Sequence, residues 1–424
     1  MTGSTQASLV HLLKKKGTGA TMSKDLSSAE VALLTPLFES PEANLTTKAT
    51  FITALLMLEL TADERAWLSA FEKNVGEGAF SEFKWFFDNE PKHPFLRLNK
   101  RLIQKESLSA ADCHQGFSFV FDQTIGDPWK AVFLEALRLK RETETENRTG
   151  YRFLLDKSRH YKTNLPVVID LSVGYDGLTR SLCLYPFLAP LLASLGFPVV
   201  LHGVEEIGPK RGITPSKLLQ LAGKNPLDLG LQNLEDPTMG WTYLDQSETF
   251  PDLFSLASLR DGMVKRPMLA TLEKLLAPVT ANQTLLVTSF THPPYRQTMR
   301  YLVDESPFDK GLILRGLEGS IQPSCEKRMP YLVGKKEIEE GFVSPIDYGC
   351  LAQSEAEFIS GETSLREGLS ALSGQGGLGR QTLLYLGKLV LDKLELMTVQ
   401  EAQVRLSENL DNGLALSHWR RICV

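Results

Sequence analysis

No other stretch limits the folds open to this chain as tightly as "PVVIDLSVGYDGLTRSLCLYPFLAPLLASLGFPVVLHG", residues 166–203. "PVVIDL" reads as a short buried strand, "CLYPFLAPLLASLG" as an apolar helix ending at Gly196, and "FPVVLHG" as a second buried strand. Strand, helix and strand in about 35 residues make a βαβ unit, which requires a parallel sheet and a right-handed crossover. "QTLLVTSF" (283–290) and "KGLILRG" (310–316) offer further strands. Ligands of such sheets bind beyond the carboxyl ends of the strands. Those ends here carry "SVGYDG", "LHGVEE", "THPPY" and "RGLEGS". Helical stretches close the chain, notably "RQTLLYLGKLVLDKLELM" (380–397).

The segment ahead of this body repeats itself. Residues 26–71 and 108–153 align without gaps at a constant offset of 82. "LSSAE" meets "LSAAD", "KATFITALLML" meets "KAVFLEALRLK", and Thr61, Glu64 and Phe71 meet Thr143, Glu146 and Phe153. Each copy opens on a serine with an acid three residues later (Ser27/Glu30, Ser109/Asp112), the spacing of a capping box, although Asp reaches back less well than Glu. Apolar residues then recur at three- and four-residue intervals, so each copy is expected to be a small bundle of amphipathic helices. Two copies are too few for a solenoid. The boundaries read as a first helical module (1–75), an aromatic connector (76–105), a second module (106–164), an α/β body (165–373) and C-terminal helices (374–424).

Composition narrows the function classes. With 42% hydrophobic and 23% charged residues the chain is an ordinary globular one. Cys113, Cys183, Cys325, Cys350 and Cys423 are scattered, with no CxxC pair to build a zinc knuckle or a disulfide framework, which points to a reducing cytoplasm. The N-terminus lacks the apolar core of a signal peptide, and no uncharged run approaches the ~20 residues of a membrane span. The net charge of −5 does not advertise a nucleic-acid partner, but it is uneven: residues 1–165 hold 22 Lys+Arg against 21 Asp+Glu. Within 137–162 eight basic residues face four acidic ones, a pattern shared by solvated helix faces and polyanion sites.

Motifs are few. In "SVGYDGLTRS", Gly174 and Gly177 could let backbone N–H groups approach an anion, yet two glycines at a strand-to-helix turn also arise for geometric reasons alone. "SGQGGLGRQ" has a formal GxGxxG at Gly374, Gly376 and Gly379, but a helical pattern precedes it, so it reads as a link between helices. His202 and His292 lack a second ligand at metal spacing and read as polar strand-end residues lining a cleft. No GxSxG, HExxH or P-loop occurs.

In their order these features resemble the anthranilate phosphoribosyltransferase family (glycosyltransferase family 3). The resemblance implies an α/β fold of the phosphoribosyltransferase type: a helical N-terminal module, here duplicated, before a central, mainly parallel sheet flanked by helices. The family's "GTGGDG" loop, which grips the diphosphate of phosphoribosyl pyrophosphate, falls on Ser172, Val173, Gly174, Tyr175, Asp176 and Gly177. Its "KHGNR" becomes Leu201, His202, Gly203, Val204 and Glu205, and the "DE" pair that holds magnesium becomes Ile321 and Gln322. Arg260 and Arg266 keep the family's six-residue interval, with Pro278 beyond. Each missing charge-assisted hydrogen bond removes roughly 1.5–3 kcal/mol, and hard divalent cations want carboxylate oxygens.

"LKKKGTGATMSKDL", "LGFPVVLHGV", "ATLEKLLAP", "THPPY" and "RGLEG" together resemble a divergent, nucleic-acid-binding branch of the family, homodimeric and not enzymes of the tryptophan pathway. The expectation is a non-catalytic, cytoplasmic homodimer without a cofactor, binding nucleic acid non-specifically in a dimer groove. Its contacts would be Lys14, Lys15, Lys16, Arg138, Lys140, Arg141, Lys210, Arg211 and Lys274. A remnant ligand pocket would comprise Gly174, Asp176, Gly177, His202, Gly203, Arg260, Arg266 and His292. Two other classes stand beside it: a glycosyl or phosphoribosyl transferase with an altered acceptor, which would need magnesium, and a scaffold whose duplicated module binds another protein.

Overall fold

Serine and threonine caps punctuate the helical repeat at matched positions. The computed structural model describes residues 5–19, 21–350 and 359–423. In the first copy the helices are α1 (Thr5–Lys16), α2 (Ser28–Ala32), α3 (Leu34–Glu39), α4 (Leu45–Met57) and α5 (Ala62–Gly76). The short α6 (Lys84–Phe87) and α7 (Pro94–Ile103) lie in the connector, and α8 (Ala110–Val120), α9 (Asp127–Lys140) and α10 (Glu144–Lys157) form the second copy. Ser27 and Glu30 close a full capping box, whereas Ser109 caps Asp112 N–H and the shorter Asp112 side chain turns to Arg101 at 3.0 Å. Thr61 caps α5, and Thr143 stands at the same place before α10.

The two copies share one interior. Both lie in a unit made of Met1–Phe153 and Ser255–Leu272, and its most extensive helix pair is α4 with α9, which are repeat equivalents. The expected amphipathic pattern fails at these two helices. In α4 every residue from Thr46 to Leu55 is buried, and in α9 every residue from Lys130 to Leu137, because helices surround them. Buried threonines in α4 satisfy themselves by bonding back one turn, Thr50 to Thr46 O and Thr53 to Ala49 O at 2.8 Å each. Helix Ala257–Met263 packs on α4 and α9 alike and approaches α4 where Gly262 has no side chain; a Cβ there would lie 2.8 Å from Thr46. Removing residues 1–76 strips the α4 cover from α9. The truncated chain is therefore expected to associate or precipitate in size-exclusion chromatography, and a monodisperse monomer would show that α9 needs no cover.

A second unit, Leu154–Phe254 with Glu273–Val424, holds the sheets. Its strands are β1 (Tyr161–Lys162), β2 (Val168–Leu171), β3 (Val199–Gly203), β4 (Trp241–Asp245), β5 (Val279–Thr280), β6 (Thr284–Ser289), β7 (Lys310–Leu314), β8 (Met329–Lys335) and β9 (Glu337–Val343). Seven of them form one sheet in the order β4-β3-β2-β6-β7-β8-β9, parallel as far as β7 and antiparallel beyond; β1 and β5 pair separately. This is the mainly parallel α/β sheet expected from the βαβ signal. The chain builds outward from β2 to β4 and then restarts on the other side at β6, so the order reverses between β2 and β6. That switch point, at the carboxyl ends of the strands, is where such sheets bind ligands. No helix among the described residues is long and apolar enough to cross a membrane.

Candidate functional site at the strand ends

Strand register places polar residues side by side at the switch point. Leu171 of β2 is level with Leu201 of β3 and with Val287 of β6, so the next residues, Ser172, His202 and Thr288, are neighbours across three strands. Asp170 lies two residues before Ser172 on the same face. The His202 Nε2 is 2.9 Å from Asp170 Oδ1, and its Nδ1 is 2.5 Å from the Tyr175 hydroxyl. A carboxylate can only accept, so Nε2 donates to Asp170, while the Tyr175 hydroxyl bonded to Nδ1 also lies 3.5 Å from Glu273 O. All three side chains are buried, and Asp170 Oδ2, Ser172 Oγ, Thr288 Oγ1 and Gln246 Oε1 are buried without hydrogen-bond partners. The result is a buried, partly satisfied polar cluster beneath the glycine loop.

The loop's glycines serve backbone contact. Leu178 and Ile213 exchange both of their backbone hydrogen bonds, at 3.1 and 2.8 Å, and Gly212 N–H donates to Asp176 O. Gly177 has φ +71°, and a Cβ on it would stand 2.6 Å from Ile213 O. Gly203 lies under the Tyr175 ring, so the tyrosine side chain fills the space over that strand end.

The neighbouring N–H groups are already occupied. The Glu318 carboxylate accepts from Thr179 N–H at 3.1 Å, Arg180 N–H at 2.7 Å and the Thr179 hydroxyl at 3.1 Å, and it pairs with Lys210 Nζ at 3.3 Å. Lys210 also donates to Gly177 O and Glu318 O, tying the two loops together. Burial works to raise the Glu318 carboxyl, but the N–H groups of Arg180 and Thr179 and the Lys210 ammonium outweigh it and hold it below the ordinary carboxylate range.

Ile321 and Gln322, where the resemblance would put metal ligands, are engaged in the protein interior. Ile321 is in the apolar core, and the Gln322 amide oxygen accepts from Leu184 N–H at 2.8 Å and Tyr185 N–H at 3.2 Å while its nitrogen donates to Leu182 O at 2.9 Å. Among the described residues no three His, Cys, Asp or Glu side chains are grouped to hold a metal.

Of the expected pocket, Gly174, Asp176, Gly177, His202 and Gly203 belong to this second-unit site. His292 is exposed after β6, Arg260 is buried in helix Ala257–Met263, and Arg266 is half-buried; the two arginines belong to the first unit. Sequence reasoning missed Asp170 and Glu318. Asp170 had a signal, a lone acid inside an apolar strand.

Most of the expected nucleic-acid contacts are committed internally. Lys16 is fully buried against Glu64 at 2.7 Å, Lys140 is paired with the buried Glu146 at 2.8 Å, and Lys274 is buried with its ammonium on Ser289 O. Lys16 and Lys274 cannot reach a phosphate, and Lys140 could do so only by leaving Glu146. Lys15 is paired with Glu30, Arg138 with Glu135, Lys210 with Glu318 and Arg211 with Glu206. Lys14 and Arg141 remain exposed. A cationic corner nevertheless forms in the first unit around residues 14–24. Lys265 Nζ donates to Lys14 O at 2.9 Å, Arg138 to Gly17 O at 2.6 Å, and Arg141 to Thr21 Oγ1 at 3.5 Å, with the exposed Lys24 in the same turn. Among the described residues Lys14, Lys24, Arg141 and Lys265 form no ion pair. Burial, then the Arg138 and Lys14 charges, push the Lys265 ammonium down to about 8.

No protein-family model matches the chain. It is 26% identical over 293 residues to the anthranilate phosphoribosyltransferase of Aeropyrum pernix, covering 67% of this chain and 82% of that one. An uncharacterized Aquifex aeolicus protein is 25% identical over 255 residues (60% and 77%), and the uncharacterized Escherichia coli YbiB is 30% identical over 200 residues (46% and 60%). Among solved structures, anthranilate phosphoribosyltransferase from Thermus thermophilus superposes with a TM-score of 0.64 at 17% identity, covering 77% of this chain and 98% of that one. The Saccharomyces cerevisiae enzyme in complex with PRPP and Mg gives 0.62 at 17% identity, covering 78% and 98%. Nearly all of each solved chain is matched, and about a fifth of this chain lies outside the match.

Proposed function

The chain belongs to the anthranilate phosphoribosyltransferase family, and on that premise we propose that it is a non-catalytic member that binds nucleic acid through backbone phosphates. The observation that carries the reading is the cationic corner of Lys14, Lys24, Arg141 and Lys265, four cations from three separate segments around one turn. Absence of catalysis is supported by Tyr175 over the strand end, and by Ile321 and Gln322, which are spent on the core. The expected homodimer and cytoplasmic setting belong to the same proposal.

Fluorescence anisotropy with a labelled single-stranded oligonucleotide from about 50 to 200 mM salt tests it; log K should fall with log salt at a slope near −0.7Z. Changing Lys14, Lys24 and Arg141 together to Glu should flatten the slope by about 2. A phosphate beside Lys265 restores its charge, so binding near pH 8 should take up protons, measurable by calorimetry in two buffers. No binding at low salt, or an unchanged slope in the triple variant, would end this reading. The competing transferase reading is favoured by the Asp170–His202–Tyr175 chain. Product above background from phosphoribosyl pyrophosphate and Mg²⁺ would establish it instead.

A further inference from the structure

We propose that the loop Gly177–Arg180 is an anion-binding site that the chain itself occupies, the Glu318 carboxylate standing where a free phosphate or carboxylate would dock. Two consecutive backbone N–H groups, a hydroxyl and an ammonium converge on that one carboxylate, the donor set that recognises a small oxyanion. The side chain is 4% exposed although Thr179 and Arg180 themselves are exposed, so the acid lies on the inner side of a surface loop.

The position of Glu318 supports a dedicated occupant. Its φ is +53°, a conformation uncommon outside glycine, and glycines flank the turn at Gly316 and Gly319. Gly316 N–H donates to Ser320 O and Leu317 N–H to Gln322 O, so the turn is tightly closed and aims the acid at the loop. Thr179 also lines an open groove of about 530 Å³, through which a free anion could reach the loop; its wall carries Glu362 together with Arg211 and Lys217, both bridged to Glu206. A tethered carboxylate has a high local concentration, so it excludes a dilute free anion with no other barrier. The inference does not depend on nucleic-acid binding, which uses residues of the other unit.

The test is thermal unfolding and calorimetry of the full chain with inorganic phosphate and with acetate, at constant ionic strength set by chloride. The wild type should respond to neither. Glu318→Ala should melt earlier in chloride and regain stability in both anions, with an apparent affinity at least about tenfold above the wild type. Glu318→Gln keeps the side-chain shape but presents an amide to the two N–H groups, so phosphate should displace it and give an intermediate response. Rescue by acetate as well as phosphate identifies a general oxyanion site, and rescue by phosphate alone a phosphate-selective one; either supports cis occupancy. A wild type that binds phosphate as well as the variants, or no anion response in any soluble variant, overturns the proposal. If Glu318→Ala fails to fold, Glu318→Gln alone decides it.

Discussion

Glu64→Ala should destabilise the helical unit by about 3–5 kcal/mol, the range for breaking a buried ion pair from one side. The Glu64 carboxylate is fully buried and accepts from Leu26 N–H at 3.0 Å, Thr61 N–H at 2.9 Å and Lys16 Nζ at 2.7 Å. Its loss strands the Lys16 ammonium, whose side chain has no solvent exposure, with Glu59 O and a more distant Asp25. Glu146→Ala should cost less. The same three contacts recur there, to Leu108 N–H, Thr143 N–H and Lys140, but the Lys140 side chain keeps 6% exposure and can turn outward. Replacing both Lys16 and Glu64 by apolar residues removes the stranded charge yet still leaves two N–H groups without an acceptor, so the double variant should recover only part of the loss. Hydrogen exchange of α1, α4 and α5 against urea separates this unit from the other. Equal stability of Glu64→Ala and the wild type would mean that the pair does not close the repeat.

That pair also marks how far the sequence could be read. The offset of 82 aligned Glu64 with Glu146 and Thr61 with Thr143, and all four occupy matching places. The cations escaped the alignment because they come from non-equivalent helices, Lys16 from the end of α1 and Lys140 from the end of α9. One clue was available. Leu9, Leu12, Leu13 and Lys16 follow the i, i+3, i+4, i+7 spacing of one helix face, which puts Lys16 inward and leaves Lys14 outward in the same "KKK" run.

The α/β body was legible for a different reason. Its buried strands β2, β3, β6 and β7 are mostly apolar, and they fall inside the four stretches read as strands. β4 passed unnoticed, and so did the β8–β9 hairpin, whose outer strand alternates acids with few apolar residues. The site was least legible. Glu318 reaches a loop 138 and 139 residues earlier in the chain, and no local pattern encodes such a contact. The sequence yielded only an expectation of altered motif residues, and near those positions the structure has the Tyr175 ring over a strand end, the buried Glu318 carboxylate and the Gln322 amide.

Gln322→Glu should distinguish that structural amide from an emptied metal ligand. The substitution restores a carboxylate where the family has one, yet the position is buried and faces Leu184 N–H, Tyr185 N–H and Leu182 O. A carboxylate keeps the two accepted hydrogen bonds and loses the donor, leaving Leu182 O unsatisfied, which costs roughly 1–3 kcal/mol before the buried charge is counted. A protonated carboxyl can donate to Leu182 O and reproduce the glutamine. Burial and this hydrogen bond therefore raise the folded pKa of the new group above its unfolded value near 4.3. The sign follows: the native state binds the extra proton, so the variant should approach wild-type stability at about pH 4 and lose about 1.4 kcal/mol per pH unit above it until the folded pKa is passed. Urea denaturation between about pH 4 and 8 gives the profile, with the wild type as reference for background titration. Adding Mg²⁺ at neutral pH should not recover the loss, because a cation at this place would have to displace two backbone N–H donors. A pH-independent variant, or one that Mg²⁺ stabilises, would return the position to metal chemistry and reopen the catalytic reading.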